Sequence, residues 1–366
     1  MIAGLRSTAQ HWSDVLPVLA VVLLVLTWGR SLPGGVVALV SCFLAAAVLA
    51  AVHHAEVIAL RVGEPFGSLV LAVAVTIIEV ALIVTLMADG GEKSATLARD
   101  TVFAAVMITC NGIVGLSLLV ASLKRRVAVF NAEGTGAALA TVATVAGLSL
   151  VLPTFTTSAP GPQFSTPQLV FAALSALILY GLFVATQTVR HRDYFLPVTS
   201  SGEVIDSEEH AHPPSARAAW TSLGLLALAL ISVVGLAKAV SPTIESAVIA
   251  AGLPASVVGI VIALLVLLPE TIAAVRAARR DRVQTSLNLG LGSAMASIGL
   301  TIPAVAVATA RLPGPLILGL GASHLVLLAL TVTVGTLTVV PGRATPLQGG
   351  VHLTLLAAYI VLALSP

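Results

Sequence analysis

The hydrophobic residues of this 366-residue chain fall into long continuous runs, and the polar residues gather in short connectors between them. Most runs are as long as the roughly 17–25 residues that an α-helix needs to cross a bilayer. Glycine, proline and charged residues mark the connectors, as at 31–35 and 159–162. The pattern predicts eleven membrane-spanning helices, at residues 14–29, 34–54, 67–88, 98–122, 136–153, 167–188, 218–240, 254–277, 284–311, 314–340 and 347–365.

The composition supports a lipid-facing surface. Hydrophobic residues make up 58% of the chain and charged residues only 9%, whereas soluble proteins carry roughly 25% charged residues. We therefore predict an all-α integral membrane protein. The formal charge of +2, without a patch of basic and aromatic residues, predicts no nucleic-acid partner. Cys42 and Cys110 both lie in apolar runs, which is not the pattern of a disulfide framework.

One long polar connector divides the chain near its middle, at residues 190–217, and it holds acidic residues, histidines and paired prolines. We predict a solvated cytoplasmic loop there. The predicted organisation is a tail and first helix over 1–33, helices 2–6 over 34–189, the loop over 190–217, and helices 7–11 over 218–366. The loop residues that are candidates for regulation by Ca²⁺ or pH are Glu208, Glu209, His210 and His212.

The basic residues predict the orientation. When the connectors are assigned alternately to the two sides, the amino-terminal side holds thirteen of the 18 Lys and Arg residues and the other side holds five. Cytoplasmic connectors are enriched in Lys and Arg. The amino terminus is therefore predicted in the cytoplasm and the carboxyl terminus outside.

Two carboxylates stand inside predicted spans. Glu79 lies in VAVTIIEVALI, residues 73–83, and Glu270 follows Pro269 in the eighth helix. A charged residue at the centre of a membrane costs about 2.5–3.5 kcal/mol on insertion scales, and such residues usually serve function. We therefore predict that Glu79 and Glu270 are functional residues and that they bind an ion that the protein transports.

The positions of the glutamates predict an inverted repeat. The third and eighth helices cross the membrane in opposite directions because the eighth comes five helices after the third, which is an odd offset. The sequence after Asp100, with Thr101 and Thr109, also echoes the sequence after Gln284, with Thr285 and Ser293. We predict that helices 2–6 and 7–11 are inverted repeats after a separate first helix, an architecture typical of transporters.

The predicted chemistry is exchange of a cation for protons. If the two carboxylates face each other, they cannot both stay charged in a low-dielectric site without a cation, and one otherwise takes a proton. Hard cations such as Ca²⁺ and Na⁺ prefer oxygen ligands. Candidates for further ligands are Thr76, Thr109, Asn111, Thr271, Asn288 and Ser293.

Several motifs resemble the ChaA-type cation/proton antiporters, a bacterial branch of the calcium/cation antiporter superfamily. They are GEPFGSLVLAVAVTIIEVALIVTLM at 63–87, LLPETIAAV at 267–275, NLGLGSAMASIGLTIPAV at 288–305 and PGRATPLQGGVHLTLLAAY at 341–359. The resemblance implies eleven helices, an inverted repeat, essential acids at Glu79 and Glu270, and exchange of Ca²⁺, Na⁺ or K⁺ for protons. The chain departs from the Gly-Asn-x-x-Glu of the wider superfamily, since Val75-Thr76 and Val266-Leu267 stand at those places.

Other classes of function stay open at this point. A cation channel also uses intramembrane carboxylates, commonly in rings made by oligomers, and a sodium-coupled calcium exchanger would move no protons. An intramembrane enzyme would need a motif such as G-x-S-x-G or H-E-x-x-H, and the sequence has neither. We expect no cofactor, with inorganic cations, protons and the bilayer as partners and with a homo-oligomer as an open alternative.

A histidine pair, His53-His54, is interpreted as an interfacial cluster at the cytoplasmic end of the second helix, with a pH-sensing role as the alternative.

Overall fold

The computed structural model describes residues 2–30, 32–63, 66–88, 95–198, 213–254, 256–311 and 314–365. Helices account for nearly all of these ranges. They are α1 Ile2–Thr27, α2 Gly34–Val62, α3 Phe66–Ala88, α4 Leu97–Arg125, α5 Ala132–Phe155, α6 Thr166–Arg190, α7 Ala216–Ala250, α8 Ser256–Arg279, α9 Val283–Thr309, α10 Ala322–Val339 and α11 Pro346–Leu364.

Within these ranges, nine helices are long and apolar enough to cross a membrane, and two shorter apolar helices span Trp12–Thr27 and Val73–Ala88. The prediction of an all-α membrane protein with eleven helices is confirmed. Three helices of the described ranges contain π-helical turns, at Ile108–Ile113 in α4, Gly147–Val151 in α5 and Thr186–Arg190 in α6.

The prediction was wrong about the start of the tenth helix, which begins at Ala322 and not at 314. Residues 315–321 are not helical, and carbonyls of other segments accept hydrogen bonds from their backbone N–H groups. The N–H groups of Ile317, Gly319 and Leu320 donate to the carbonyls of Ala95, Pro162 and Leu150, at 2.9, 3.0 and 2.9 Å. Non-helical backbone is tolerated at membrane depth only where protein groups replace water in this way.

The chain forms two compact units. The first unit contains residues 1–86 and 209–252. In it, α7 packs against α1 and α2. The second contains residues 87–208 and 253–366. The units follow spatial contacts and do not coincide with the two predicted repeats, since each unit draws segments from both halves of the chain.

His54 joins three helices of the first unit. The second helix continues to Val62, two turns beyond the prediction, so His54 lies within it and is buried at 1% exposure. Its Nε2 lies 2.9 Å from the carbonyl oxygen of Ser13 in α1, and its Nδ1 lies 3.3 Å from Ser222 Oγ in α7. Because a carbonyl only accepts, Nε2 carries the hydrogen and Ser222 donates to Nδ1. The interfacial interpretation of His54 was therefore wrong, because tertiary packing covers it.

The almost completely buried α4 is the centre of the second unit and packs against α8, α9 and α11. Beyond its end, strand β1, Ala128–Val129, pairs antiparallel with β2, Arg343–Ala344. Glycines permit the closest helix contacts. A Cβ at Gly349 of α11 would lie 2.7 Å from the Leu119 backbone nitrogen, although one at the neighbouring Gly350 would meet nothing within 4 Å.

The connectors of the second unit gather at two ends. At one end β1 pairs with β2, and Arg125 Nη2 lies 2.8 Å from Asp281 Oδ2. At the other end, Arg99 Nη1 donates to the Gly319 carbonyl at 3.3 Å. Every second connector of the second unit therefore lies at the same end. The assignment of the basic residues to alternate sides requires this arrangement.

We expect Gly349→Ala to destabilise the protein by about 1–3 kcal/mol, because the added methyl group would collide with backbone atoms of α4. Gly350→Ala is the matched control, and its better helix propensity should leave stability unchanged or slightly raised. Thermal unfolding in detergent measures both variants. Equal melting temperatures would contradict the close crossing of α4 and α11.

Candidate functional site

Glu79 occupies the middle of α3, in the first unit, and only 3% of its surface is exposed. Thr76, one turn earlier, is also 3% exposed, whereas Ile77 between them is 47% exposed. Residues three apart share a helix face. The carboxylate and the hydroxyl therefore lie together on the buried side of α3.

Glu270 lies in the middle of α8, in the second unit, and is partly exposed. It follows the buried Pro269, which has no N–H to donate to the Leu265 carbonyl one turn earlier. Thr271 Oγ1 donates to the Leu267 carbonyl at 2.7 Å. A hydroxyl that donates to its own helix keeps its oxygen lone pairs available as ligands. This turn of α8 thus presents a carboxylate and further neutral oxygens.

The π-helical segment Ile108–Ile113 of α4 carries two of the predicted ligands, and α8 packs against it. Both side chains are fully buried. Thr109 Oγ1 donates to the Ala105 carbonyl at 2.7 Å, which leaves its lone pairs available. Asn111 uses both ends of its amide, with Nδ2 2.9 Å from Thr331 Oγ1 and Oδ1 3.1 Å from His352 Nδ1. π-Helical turns often occur at functional sites.

The two candidates on α9 occupy different levels of the helix. Ser293 is partly exposed and lies about 15 Å along the axis from the first residue. Asn288 lies nearer the end with the basic connectors. Its Nδ2 donates to the Phe195 carbonyl at 2.6 Å, and its Oδ1 accepts from Gln284 Nε2 at 2.9 Å.

A hydrogen-bonded contact joins α4, α8 and α9. Ser286 Oγ of α9 lies 2.5 Å from Ser117 Oγ of α4 and donates to the Ala274 carbonyl of α8 at 2.6 Å. Three neighbouring helices of the second unit therefore carry Glu270 and the candidate ligands Thr109, Asn111, Thr271, Asn288 and Ser293. Glu79 and Thr76 belong to the first unit. The regulatory candidates Glu208, Glu209, His210 and His212 lie outside the described residues.

Sequence reasoning missed two buried polar residues. Gln284, 1% exposed, accepts from the Asn131 backbone N–H at 2.7 Å and donates to Thr135 Oγ1 at 3.2 Å. His352, 2% exposed, contacts Asn111 and Thr338. The signal for His352 was a polar ring inside the apolar run of α11, but the sequence does not show its partners on two other helices.

No group of three His, Cys, Asp or Glu side chains that could hold a metal ion occurs among the described residues. Glu79 and Glu270 stand at mid-helix, one in each unit, whereas Asp100 and Glu133 stand in the first turns of α4 and α5.

The long apolar helices define a multi-pass membrane protein. The sequence pattern of the sodium/calcium exchanger protein family matches residues 34–189 and 221–365. The chain belongs to this family and thus to the calcium/cation antiporter superfamily. It is a cation antiporter and not an enzyme, as the sequence predicted.

Two bacterial relatives match nearly the whole chain. The protein y4hA of Sinorhizobium fredii (strain NBRC 101917 / NGR234) is 47% identical over 362 residues, which cover 97% of this chain and 96% of the relative. The sodium-potassium/proton antiporter ChaA of Escherichia coli (strain K12) is 34% identical over 362 residues, covering 98% and 97% of the two chains.

Two solved structures share the fold. Native YfkE superposes with a TM-score of 0.68 at 18% identity, covering 96% of this chain and 97% of the other. The H⁺/Ca²⁺ exchanger CAX superposes with a TM-score of 0.69 at 16% identity, covering 96% and 91%.

We expect Asn288→Ala to lower the free energy of unfolding by about 1–3 kcal/mol, because it removes the partner of the Phe195 carbonyl and of Gln284. The half-saturating cation concentration of the folded protein should stay the same. Thermal unfolding and cation-dependent transport measure the two quantities separately. A raised half-saturating concentration at unchanged stability would instead make Asn288 an ion ligand.

Proposed function

We propose that the protein exchanges cytoplasmic cations for external protons across the bacterial inner membrane by alternating access. The observation that carries the proposal is the pair of intramembrane carboxylates, Glu79 buried at mid-helix in α3 and Glu270 behind Pro269 in α8. The name of ChaA, a sodium-potassium/proton antiporter, and the name of CAX, an H⁺/Ca²⁺ exchanger, support cations and protons as substrates.

The chemistry follows from the cost of charge in hydrocarbon. An ionised carboxylate away from water needs a counter-charge or a proton. Glu79 and Glu270 bind the cation when ionised and release it when protonated, so cation and protons compete for the same oxygens. Hydroxyls such as those of Thr109 and Thr271, which already donate to carbonyls, complete an oxygen-rich ligand set that suits Ca²⁺, Na⁺ or K⁺. This chemistry uses no cofactor.

An inverted repeat belongs to the same proposal. The sequence pattern of one family matches the chain twice, at 34–189 and at 221–365. These segments lie on either side of the polar loop, and each contains one of the two mid-helix glutamates, Glu79 or Glu270. Repeats of opposite orientation would give the protein two equivalent states, one open to each side.

Glu79→Gln and Glu270→Gln should each reduce exchange to the level of vesicles without the protein, because an amide neither carries the compensating charge nor releases a proton. The assay uses everted vesicles with an acid interior and a pH-sensitive dye, and adds Ca²⁺, Na⁺ and K⁺ in turn. Glu133→Gln is the control, since Glu133 is an exposed carboxylate in the first turn of α5.

The other classes predict different results in this assay. Cation flux without any movement of protons would indicate a channel. Calcium uptake that follows a sodium gradient at constant internal pH would indicate a sodium-coupled exchanger. Exchange that survives in both glutamine variants would overturn the assignment of the carboxylates.

We also propose that the amino terminus is cytoplasmic and the carboxyl terminus external. Alkaline phosphatase, which is active only outside the cytoplasm, should therefore be active when fused after residue 366 and inactive when fused before residue 1 of the full chain. The opposite pattern would reverse the orientation, and equal activities would contradict an odd number of spans.

A further inference from the structure

The helices α4 and α11 cross with their backbones in direct contact. A Cβ added at Gly115 of α4 would lie 3.0 Å from His352 Cβ and 3.1 Å from the Gly349 carbonyl oxygen. A Cβ added at Gly112 would lie 3.0 Å from a methyl carbon of Leu356. Small residues permit such close crossings in membranes. The crossing places His352 directly beside the π-helical segment of α4.

The hydrogen bonds of His352 have a determined direction. The Asn111 Oδ1 only accepts, so His352 Nδ1 carries the hydrogen and donates across 3.1 Å. In the neutral ring Nε2 then accepts from Thr338 Oγ1 at 3.2 Å. On the other side, Asn111 Nδ2 donates to Thr331 Oγ1, which itself donates to the Leu327 carbonyl at 2.8 Å. Each of these hydrogen bonds joins two neutral groups.

These bonds connect three helices at one residue of the π segment. His352 belongs to α11, Thr331 and Thr338 belong to α10, and Asn111 belongs to α4. All four residues are at most 3% exposed. A π turn is rare and is retained where surrounding contacts favour it. The hydrogen bonds of Asn111 stabilise the π turn of α4, and Thr109 lies two residues away in that turn.

We propose that His352 is a positioning residue for exchange, which in its neutral form holds Asn111 and thereby the π segment against α10. This inference rests on the proposed function for its effect on transport. His352 thus holds the side chain of Asn111. Asn111 in turn fixes the geometry of the π segment, which carries the candidate ligand Thr109.

The surroundings of His352 favour a neutral ring over a proton carrier. A cavity of about 20 Å³ adjoins it, lined by apolar side chains and by Cys110, Thr135, Thr331 and Thr338. Among the described lining residues, Cys110 is the other titratable group, and none is Asp, Glu, Lys or Arg. A protonated ring would place an uncompensated charge in this apolar volume, which is strongly unfavourable.

The first test measures how accessible the π segment is to a thiol reagent and does not depend on transport. Cys110 is buried in that segment, and Cys42 is exposed, so a Cys42→Ser background leaves Cys110 as the single thiol. We expect His352→Leu to speed labelling of Cys110 by a membrane-permeant maleimide about tenfold, because the segment loses its anchor. His352→Asn keeps an N–H near the position of Nδ1 and should label within about twofold of the parent. Equal rates in all three proteins would overturn the proposal.

The second test measures exchange in vesicles. His352→Leu should raise the half-saturating cation concentration about five- to tenfold, as expected for one or more lost buried hydrogen bonds. His352→Asn should restore it and keep the parent's dependence of rate on pH. A changed pH dependence in His352→Asn would make His352 a proton carrier and overturn the positioning role.

A second pair of variants serves if His352→Leu does not fold. Thr331→Val removes the acceptor of the Asn111 amide, and Thr336→Val removes an exposed hydroxyl that bonds only within α10 among the described residues. The first should speed Cys110 labelling and the second should not; equal effects would contradict the inference. If Cys110 of the parent protein is protected from labelling but the parent shows no exchange, the proposed function is disproved. The role of His352 in holding the π segment is then unaffected.

Discussion

The structure depends on one constraint, the absence of water as a hydrogen-bond partner inside the hydrocarbon of a membrane. Each buried polar group must find its partner within the protein. Threonine and serine hydroxyls along the helices accordingly donate to carbonyls one turn earlier, as Thr109 and Thr271 do. The non-helical residues before α10 pair their backbone N–H groups with the carbonyls of Ala95, Leu150 and Pro162. The same constraint underlies the proposed exchange, in which Glu79 and Glu270 hold either a cation or a proton.

Close packing at glycines supplies many of those partners. Glycine at 112, 115 and 349 lets α4 and α11 approach until backbone contacts backbone. This approach brings the imidazole of His352 to Asn111, although 241 residues separate them in sequence. A methyl group at the crossing would separate the helices and leave two buried polar side chains with poorer bonds. The glycines and the polar chain of bonds therefore depend on each other, and both act on the π segment of α4.

The distribution of charge follows the same physics at the ends of the helices. Lys124 and Arg125 meet Asp281 where the helices leave the apolar region, at 3.3 and 2.8 Å. Exposed pairs of this kind contribute little stability, with a median of about 0–1 kcal/mol. The pairs matter for topology. They hold basic residues at one end of the second unit, and this end is the side that the sequence predicts to be cytoplasmic.

The sequence by itself determined the class of fold and the two carboxylates as candidates. The length of the apolar runs predicted eleven helices, since hydrocarbon thickness sets the number of residues in a span. Glu79 and Glu270 stood out because inserting a charge into hydrocarbon is costly whatever the arrangement of the neighbouring helices. Helix ends were less predictable, since α2 continues through His54 and α10 starts only at Ala322.

Only the tertiary structure decided which polar residues meet. The π turn at 108–113, the bonds of His54 to α1 and α7, and the contact of His352 with Asn111 all join residues that no local pattern connects. The physical reason is that helix formation depends on nearby residues and on the solvent. Partner choice depends instead on how closely two helices approach, and that is settled by side chains far apart in the chain.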